Sequence, residues 1–233
     1  SRRFLMSAAL ILMIAVGARG SLMAQAPTPT LSYANGSVAS EVNGTVTALL
    51  KADKPEVGEV QRATGTFTTL RSGDPLLGEE GAPALPIVRQ WVAVPSVADP
   101  AVTIRLSEPQ PLPSAAHPLD PVPYPVPVYD DFAATGTPDR LDTDYSPNPE
   151  IYNQSGWYPA EPVTVGELVT LRGQKMRQLQ LTTVQVNLET GELRWFPSAA
   201  VALDWQPEQI DYAQGNVPDP QYENFFQGLL SNY

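Results

Sequence analysis

The chain has 233 residues and a formal net charge of -11, from 14 basic and 25 acidic side chains. An acidic balance of this size disfavours a nucleic-acid role, because phosphate binding needs a basic face. The absence of Cys excludes a disulfide framework, a thiolate metal site and a cysteine nucleophile within these residues.

The N-terminal stretch reads as an export signal. Arg2 and Arg3 precede an apolar run from Phe4 to Ala18 that is too short to span a bilayer comfortably. Two small-residue exits follow, Ala18-Arg19-Gly20 and Ala24-Gln25-Ala26, the second obstructed by Pro27. An uncleaved anchor is the alternative reading, and the loose twin-Arg character of "SRRFLM" leaves the export route open. The chain begins with Ser, so its true start is expected upstream. Residues 1–26 are assigned to the signal, and no stable membrane association is expected once it is removed. Residues 27–45 are small and polar and read as a flexible leader, running into a first strand near 37–50.

Residues 46–221 read as one β-rich domain. Val57–Leu70 is a strand or hairpin. Gly73–Pro86 is turn chemistry, and it feeds a strand of buried character at Ile87–Val94 with Trp91 at its centre. Ala101–Ser107 is a further strand, with Val102, Ile104 and Leu106 on one face. The character then changes. Residues 109–150 hold eleven prolines, seven carboxylates and one strongly basic residue, Arg140. Each Pro removes a ladder donor, so this span reads as a long acidic excursion, partly polyproline II, with one short strand at Tyr124–Tyr129. A loop of that length is usually functional or disordered.

Regular structure is expected again from Trp157. Val163–Leu171 and Lys175–Asn187 read as strands, the second turning through Glu189-Thr190-Gly191-Glu192 into Leu193–Trp205. On that last strand Leu193, Trp195, Ala199, Val201, Leu203 and Trp205 share a period of two. Residues 222–233 carry Tyr222, Phe225, Phe226, Leu229 and Leu230 at helical spacing and read as a short C-terminal helix.

Candidate chemistry is sparse. His117 is the only histidine and has no nucleophile signature near it. Asp139, Asp142 and Asp144 have carboxylate spacing but lack the Gly and the closing Glu of an EF-hand loop, so no metal is assigned. Glu79 and Glu80 read as a solvated turn. The four tryptophans could line a sugar-binding face or fill a core. No catalytic constellation and no cofactor site is assembled.

Three stretches together resemble the N-terminal propeptide of gingipain-type cysteine peptidases. The first is "GAPALPIVRQWVAVP", similar to that family's Gly-x-Pro-x-Leu-Pro segment, with Gly81, Pro83, Leu85 and Pro86 as its motif residues. The second is Trp157-Tyr158-Pro159 followed by "LRGQKMRQLQLTTVQVNLETGELRWF", carrying Arg172, Gly173, Asn187 and Gly191. The third is the terminal "FFQGLLSNY", similar to the junction with the catalytic domain. The chain departs where the family has Pro-x-x-Tyr-Asn-Pro. Thr183, Val186 and Leu188 stand there, and Asn187 and the turn survive.

The resemblance implies an all-β prodomain, a curved antiparallel sheet of half-barrel or sandwich-like form. It implies a non-catalytic chain whose partner is a cysteine peptidase domain downstream in cis. It also implies a folding and latency role during export to the periplasm or the extracellular space, and a loop that enters the active-site cleft. Arg140, with Asp139 and Asp142 beside it, is the candidate contact in the 109–150 span. The competing expectation is a secreted β-sandwich that binds carbohydrate or a cell surface.

Overall fold

The computed structural model describes residues 38–72, 76–128, 140–210 and 222–232. The expected signal, most of the leader and Asp139 lie outside the described residues. Sixteen strands are described: β1 Val38–Val42, β2 Thr45–Lys51, β3 Glu56–Arg62, β4 Gly65–Arg71, β5 Leu76–Leu77, β6 Leu85–Ala93, β7 Ala101–Leu106, β8 Gln110–Pro111, β9 Tyr124–Val128, β10 Arg140–Asp144, β11 Trp157–Tyr158, β12 Val163–Leu171, β13 Gln174–Thr182, β14 Val184–Asn187, β15 Leu193–Trp195 and β16 Ser198–Asp204. Two short helices join them, α1 Pro149–Tyr152 and α2 Glu223–Leu229. The expected first strand is therefore a hairpin, β1–β2, turning at Asn43-Gly44, and Val57–Leu70 is the hairpin β3–β4.

Three four-stranded antiparallel sheets form the body, in the orders β1-β2-β16-β7, β12-β13-β6-β5 and β11-β14-β15-β8. The first two face each other across the main core. Val46, Ala48 and Leu50 of β2 and Ala199, Val201 and Leu203 of β16 meet Val88 and Val92 of β6 and Leu179 and Leu181 of β13. Every second residue of these strands points inward, as a half-buried pleat dictates. A second core lies under the third sheet, where Val184, Val186, Leu193 and Trp195 pack on Leu70, Leu85, Leu112 and Leu119.

The expected long hairpin over 175–205 is corrected. Both of its strands break. The first breaks at Thr183 and the second at Phe196-Pro197, leaving only β14 and β15 paired as a short hairpin in the third sheet. Beyond the break β13 and β16 part into the second and first sheets. The cause is local. Pro197 has no N–H to continue a ladder. Thr183 is shared between two ladders, its carbonyl accepting the Phe196 N–H at 2.8 Å as the last in-register bond of β14–β15, and its N–H bonding the Pro86 carbonyl at 2.9 Å in the register of β13–β6. Leu193 and Trp195 thus serve the second core, and Ala199, Val201, Leu203 and Trp205 the main one.

Val102, Ile104 and Leu106 do share a face, opposite the buried Leu203, Val201 and Ala199. Strand β7 is an edge, however, and these three side chains stay 37–44% exposed. The C-terminal helix is present as expected. Phe226 and Leu230 are fully buried against Ala93 and Met176, a contact of about 1.5–3 kcal/mol for each side chain. After the helix the chain is sewn onto β6. The Ser231 N–H bonds the Trp91 carbonyl at 3.0 Å, and the Asn232 carboxamide pairs with both the N–H and the carbonyl of Ala93 at 2.6 and 2.9 Å.

Candidate functional site

The described residues of the Pro-rich span hold more regular structure than their composition suggests. It contains β8, then β9 and β10 as a two-stranded hairpin, then α1. The expected strand at Tyr124–Tyr129 is β9, and the return strand β10 adds a second one where the sequence leads one to expect a single strand. Pro125 and Pro127 fit because they sit at alternate positions, facing Thr143 and Leu141 in the register. Their missing donors both lie on the edge of β9 away from β10, and the ladder runs through Tyr124, Val126 and Val128.

The end of the hairpin nearest the body is closed by side chains. The Tyr124 hydroxyl donates to Asp144 Oδ2 at 2.8 Å, and the Ser146 hydroxyl donates to Asp144 Oδ1 at 2.7 Å. These two donors, the serine first, hold the Asp144 carboxyl below its ordinary value, and the same bond to Asp144 pushes the Tyr124 phenol up.

Two legs connect the hairpin to the body. The incoming leg is laced to three elements in turn. Beside β15, the Leu112 N–H bonds the Leu193 carbonyl at 3.1 Å and the Ala115 N–H bonds the Gly191 carbonyl at 2.8 Å. Beside β4, the Thr68 N–H bonds the Pro118 carbonyl and the Asp120 N–H bonds the Thr68 carbonyl, both at 2.8 Å. The Thr68 hydroxyl adds a bond to the His117 carbonyl at 2.9 Å. Against residues 81–84, the Ala84 N–H bonds the Asp120 carbonyl and the Val122 N–H bonds the Ala82 carbonyl, at 2.9 and 2.7 Å. On the outgoing leg, Asn148 caps α1 by accepting from the Glu150 N–H at 2.9 Å. Tyr152 of that helix donates its hydroxyl to the Leu119 carbonyl at 2.6 Å, and burial raises its phenol pKa.

Gly81 joins the two legs. Its N–H bonds the Val122 carbonyl of the incoming leg at 2.9 Å, and its carbonyl accepts the Asn148 N–H of the outgoing leg at 2.8 Å. With φ at +72°, a Cβ there would lie 3.1 Å from both the Asn148 nitrogen and the Ser146 carbonyl oxygen. The position requires Gly for conformation and for space together. Pro83 bridges Pro121, Leu85 fills the second core, and Pro86 lends its carbonyl to Thr183. The segment 78–95 is thus a turn that grips the base of the hairpin and then enters the central strand β6.

The other motif residues shape turns. Arg172 and Gly173, with φ of 51° and 86°, form the tight turn between β12 and β13. The Arg172 guanidinium also bonds the Tyr222 hydroxyl at 3.3 Å, just ahead of α2. Asn187 Oδ1 accepts from the N–H groups of Glu189 and Thr190 at 3.1 and 3.2 Å, and Gly191 lies against Ala115 of the incoming leg. Arg140 opens β10 opposite Val128, and Asp142 stands opposite Val126 with an exposed side chain. Asp139 is outside the described residues. No cluster of metal-ligating side chains is present among the described residues. Sequence reasoning did not single out Arg62, Thr68, Asp120 or Tyr145, which fasten the legs, because their partners are distant in the chain.

This body of antiparallel sheets, mostly strand with two short helices, has the fold of the prodomains of gingipain-type cysteine peptidases. The chain belongs to the family described as Propeptide_C25, whose model matches residues 37–217, and so is the non-catalytic propeptide part of a C25 peptidase. The fold is similar to a chain from the complex of the pro- and mature domains of Porphyromonas gingivalis RgpB, with a TM-score of 0.60 and 18% identity over 88% of this chain and 99% of that one. It is also similar to a structure bearing on the zymogenic latency of gingipain K from Porphyromonas gingivalis, with a TM-score of 0.53 and 19% identity over 76% of this chain and 98% of that one. Among curated protein sequences, none matches.

Proposed function

We propose that this chain keeps a downstream gingipain-type cysteine endopeptidase latent during export, assists its folding, and inserts the hairpin 124–144 into the active-site cleft. The observation that carries the reading is the hairpin itself, an extended ribbon held at its base by bonds to both legs. A tethered inhibitor acts at high effective concentration, so modest contacts suffice. Pro125, Pro127 and the clamped legs reduce the ordering cost of binding. The relatives of known structure include a prodomain in complex with its mature domain, which supports a peptidase domain in cis as the partner here. The N-terminal basic and apolar stretch supports export.

Arg140 is the side chain we assign to the specificity pocket, since an acidic pocket would read it by charge pairing. Asp139 and Asp142 flank it. The four tryptophans do not form an exposed platform for a sugar. Trp195 and Trp205 are buried, Trp91 packs beneath α2, and the Arg194 guanidinium stacks over Trp157 at 3.9 Å. The test is the precursor that includes the peptidase domain. Replacing residues 124–144 with a Gly/Ser linker should leave the precursor folded and active before processing. A linker precursor as silent as the parent would refute the hairpin assignment.

A further inference from the structure

The tip of the β3–β4 hairpin lies against both legs of the proposed inhibitory hairpin, and one side chain touches each. Arg62 ends β3. Its Nε donates to Asp120 Oδ1 at 3.0 Å and its Nη2 to Asp120 Oδ2 at 2.6 Å, a two-pronged grip on the incoming leg. The same guanidinium lies over the ring of Tyr145 on the outgoing leg, 3.8 Å from its centre. The pair is sheltered. The Asp120 side chain is 10% exposed and the Arg62 side chain 28%.

The chemistry selects Arg. A planar guanidinium serves a carboxylate through its edge and an aromatic ring through its face at once, which an ammonium does not do. Gly81 also joins the legs, through backbone bonds alone. The legs are therefore held at two places by elements remote in sequence, and neither element is part of the hairpin.

We infer that Arg62 is a positioning residue for inhibition. By joining Asp120 to Tyr145 it sets the separation and direction of the legs, and so the pose in which β9 and β10 reach the peptidase. This inference rests on the reading of 124–144 as the inhibitory element. It assigns Arg62 no contact with the enzyme.

The test uses the chain from Pro27 onward as an inhibitor added to the separated peptidase domain. Arg62→Met keeps the aliphatic stem and removes both contacts. Arg62→Lys keeps the charge but loses the fork and the stacking. Both variants should weaken inhibition at least tenfold while remaining fully folded at the assay temperature, with Lys no better than threefold above Met. Amide hydrogen exchange should quicken at Val126 and Asp142, which face each other in the ladder, and stay unchanged at Val92 and Leu179, which a general loss of stability would not produce. A linker replacing 124–144 runs in parallel. If the linker abolishes inhibition but both Arg62 variants inhibit like the parent, Arg62 does not position the hairpin and the inference is wrong. If the linker variant itself inhibits like the parent, the hairpin reading fails, and this inference falls with it.

Discussion

Gly81→Ala isolates the clamp. Two costs combine at this position. The first is conformational, about 1–2 kcal/mol for a side chain held in the left-handed region, where Gly81 sits at φ +72°. The second is steric. The new methyl would meet the Asn148 nitrogen and Ser146 oxygen at 3.1 Å and the Asn148 Cβ at 3.2 Å. Two of these three atoms are backbone, so the outgoing leg must shift, at about 1–3 kcal/mol for overpacking. Gly156 is the internal control. Its φ is +86° but a Cβ there meets nothing within 4 Å. Urea unfolding of both variants should show Gly156→Ala losing about 1–2 kcal/mol and Gly81→Ala losing about 2–5 kcal/mol, the sum of both costs. Equal losses would mean that the outgoing leg is not seated on Gly81, and the clamp would have to be abandoned.

Trp195→Ala should cost about 3–5 kcal/mol in the same assay, because Trp195 is 8% exposed in the second core. Its Nε1 has no partner among the described residues, so Trp195→Phe should cost much less, and a loss as large as that of Ala would show the indole N–H to be bonded. Asp144 titrates below its ordinary value of 3.8. Its contribution to the hairpin is therefore fully present above that value and is lost as pH falls through the lowered one. An NMR titration of Tyr124→Phe should move the Asp144 midpoint up toward 3.8, and an unmoved midpoint would deny the bond. Arg140→Ala should weaken inhibition of the separated peptidase domain by at least tenfold, about 1.4 kcal/mol, and an unchanged inhibition constant would remove Arg140 from the specificity pocket.

The local elements were largely legible from residue pattern. Ile87–Val94 announces a buried strand by its apolar run, Glu189–Glu192 a hairpin by its Gly, and 222–230 a helix by its period. The divergence of the sheets was not legible, for a definite reason. Two residues, Phe196 and Pro197, intervene between Trp195 and Ser198. An even insertion preserves the parity of a period-two pattern, so Leu193 through Trp205 reads as one strand although it serves two cores. Strand β10 was missed because "RLDTD" holds one apolar residue and owes its conformation to pairing with β9. The Gly81 turn was visible as a turn. Its purpose was not, since that depends on Val122 and Asn148, which only folding brings beside it.

If the hairpin 124–144 makes this chain an inhibitor, the separated peptidase domain reads it out. The direct measurement is steady-state inhibition of that separated domain by the chain from Pro27 onward, with a small peptide substrate at several concentrations. Tight, competitive inhibition is expected, disappearing when residues 124–144 are replaced by a linker and returning when they are restored. Inhibition that is absent, or that is non-competitive and indifferent to the linker, would contradict it.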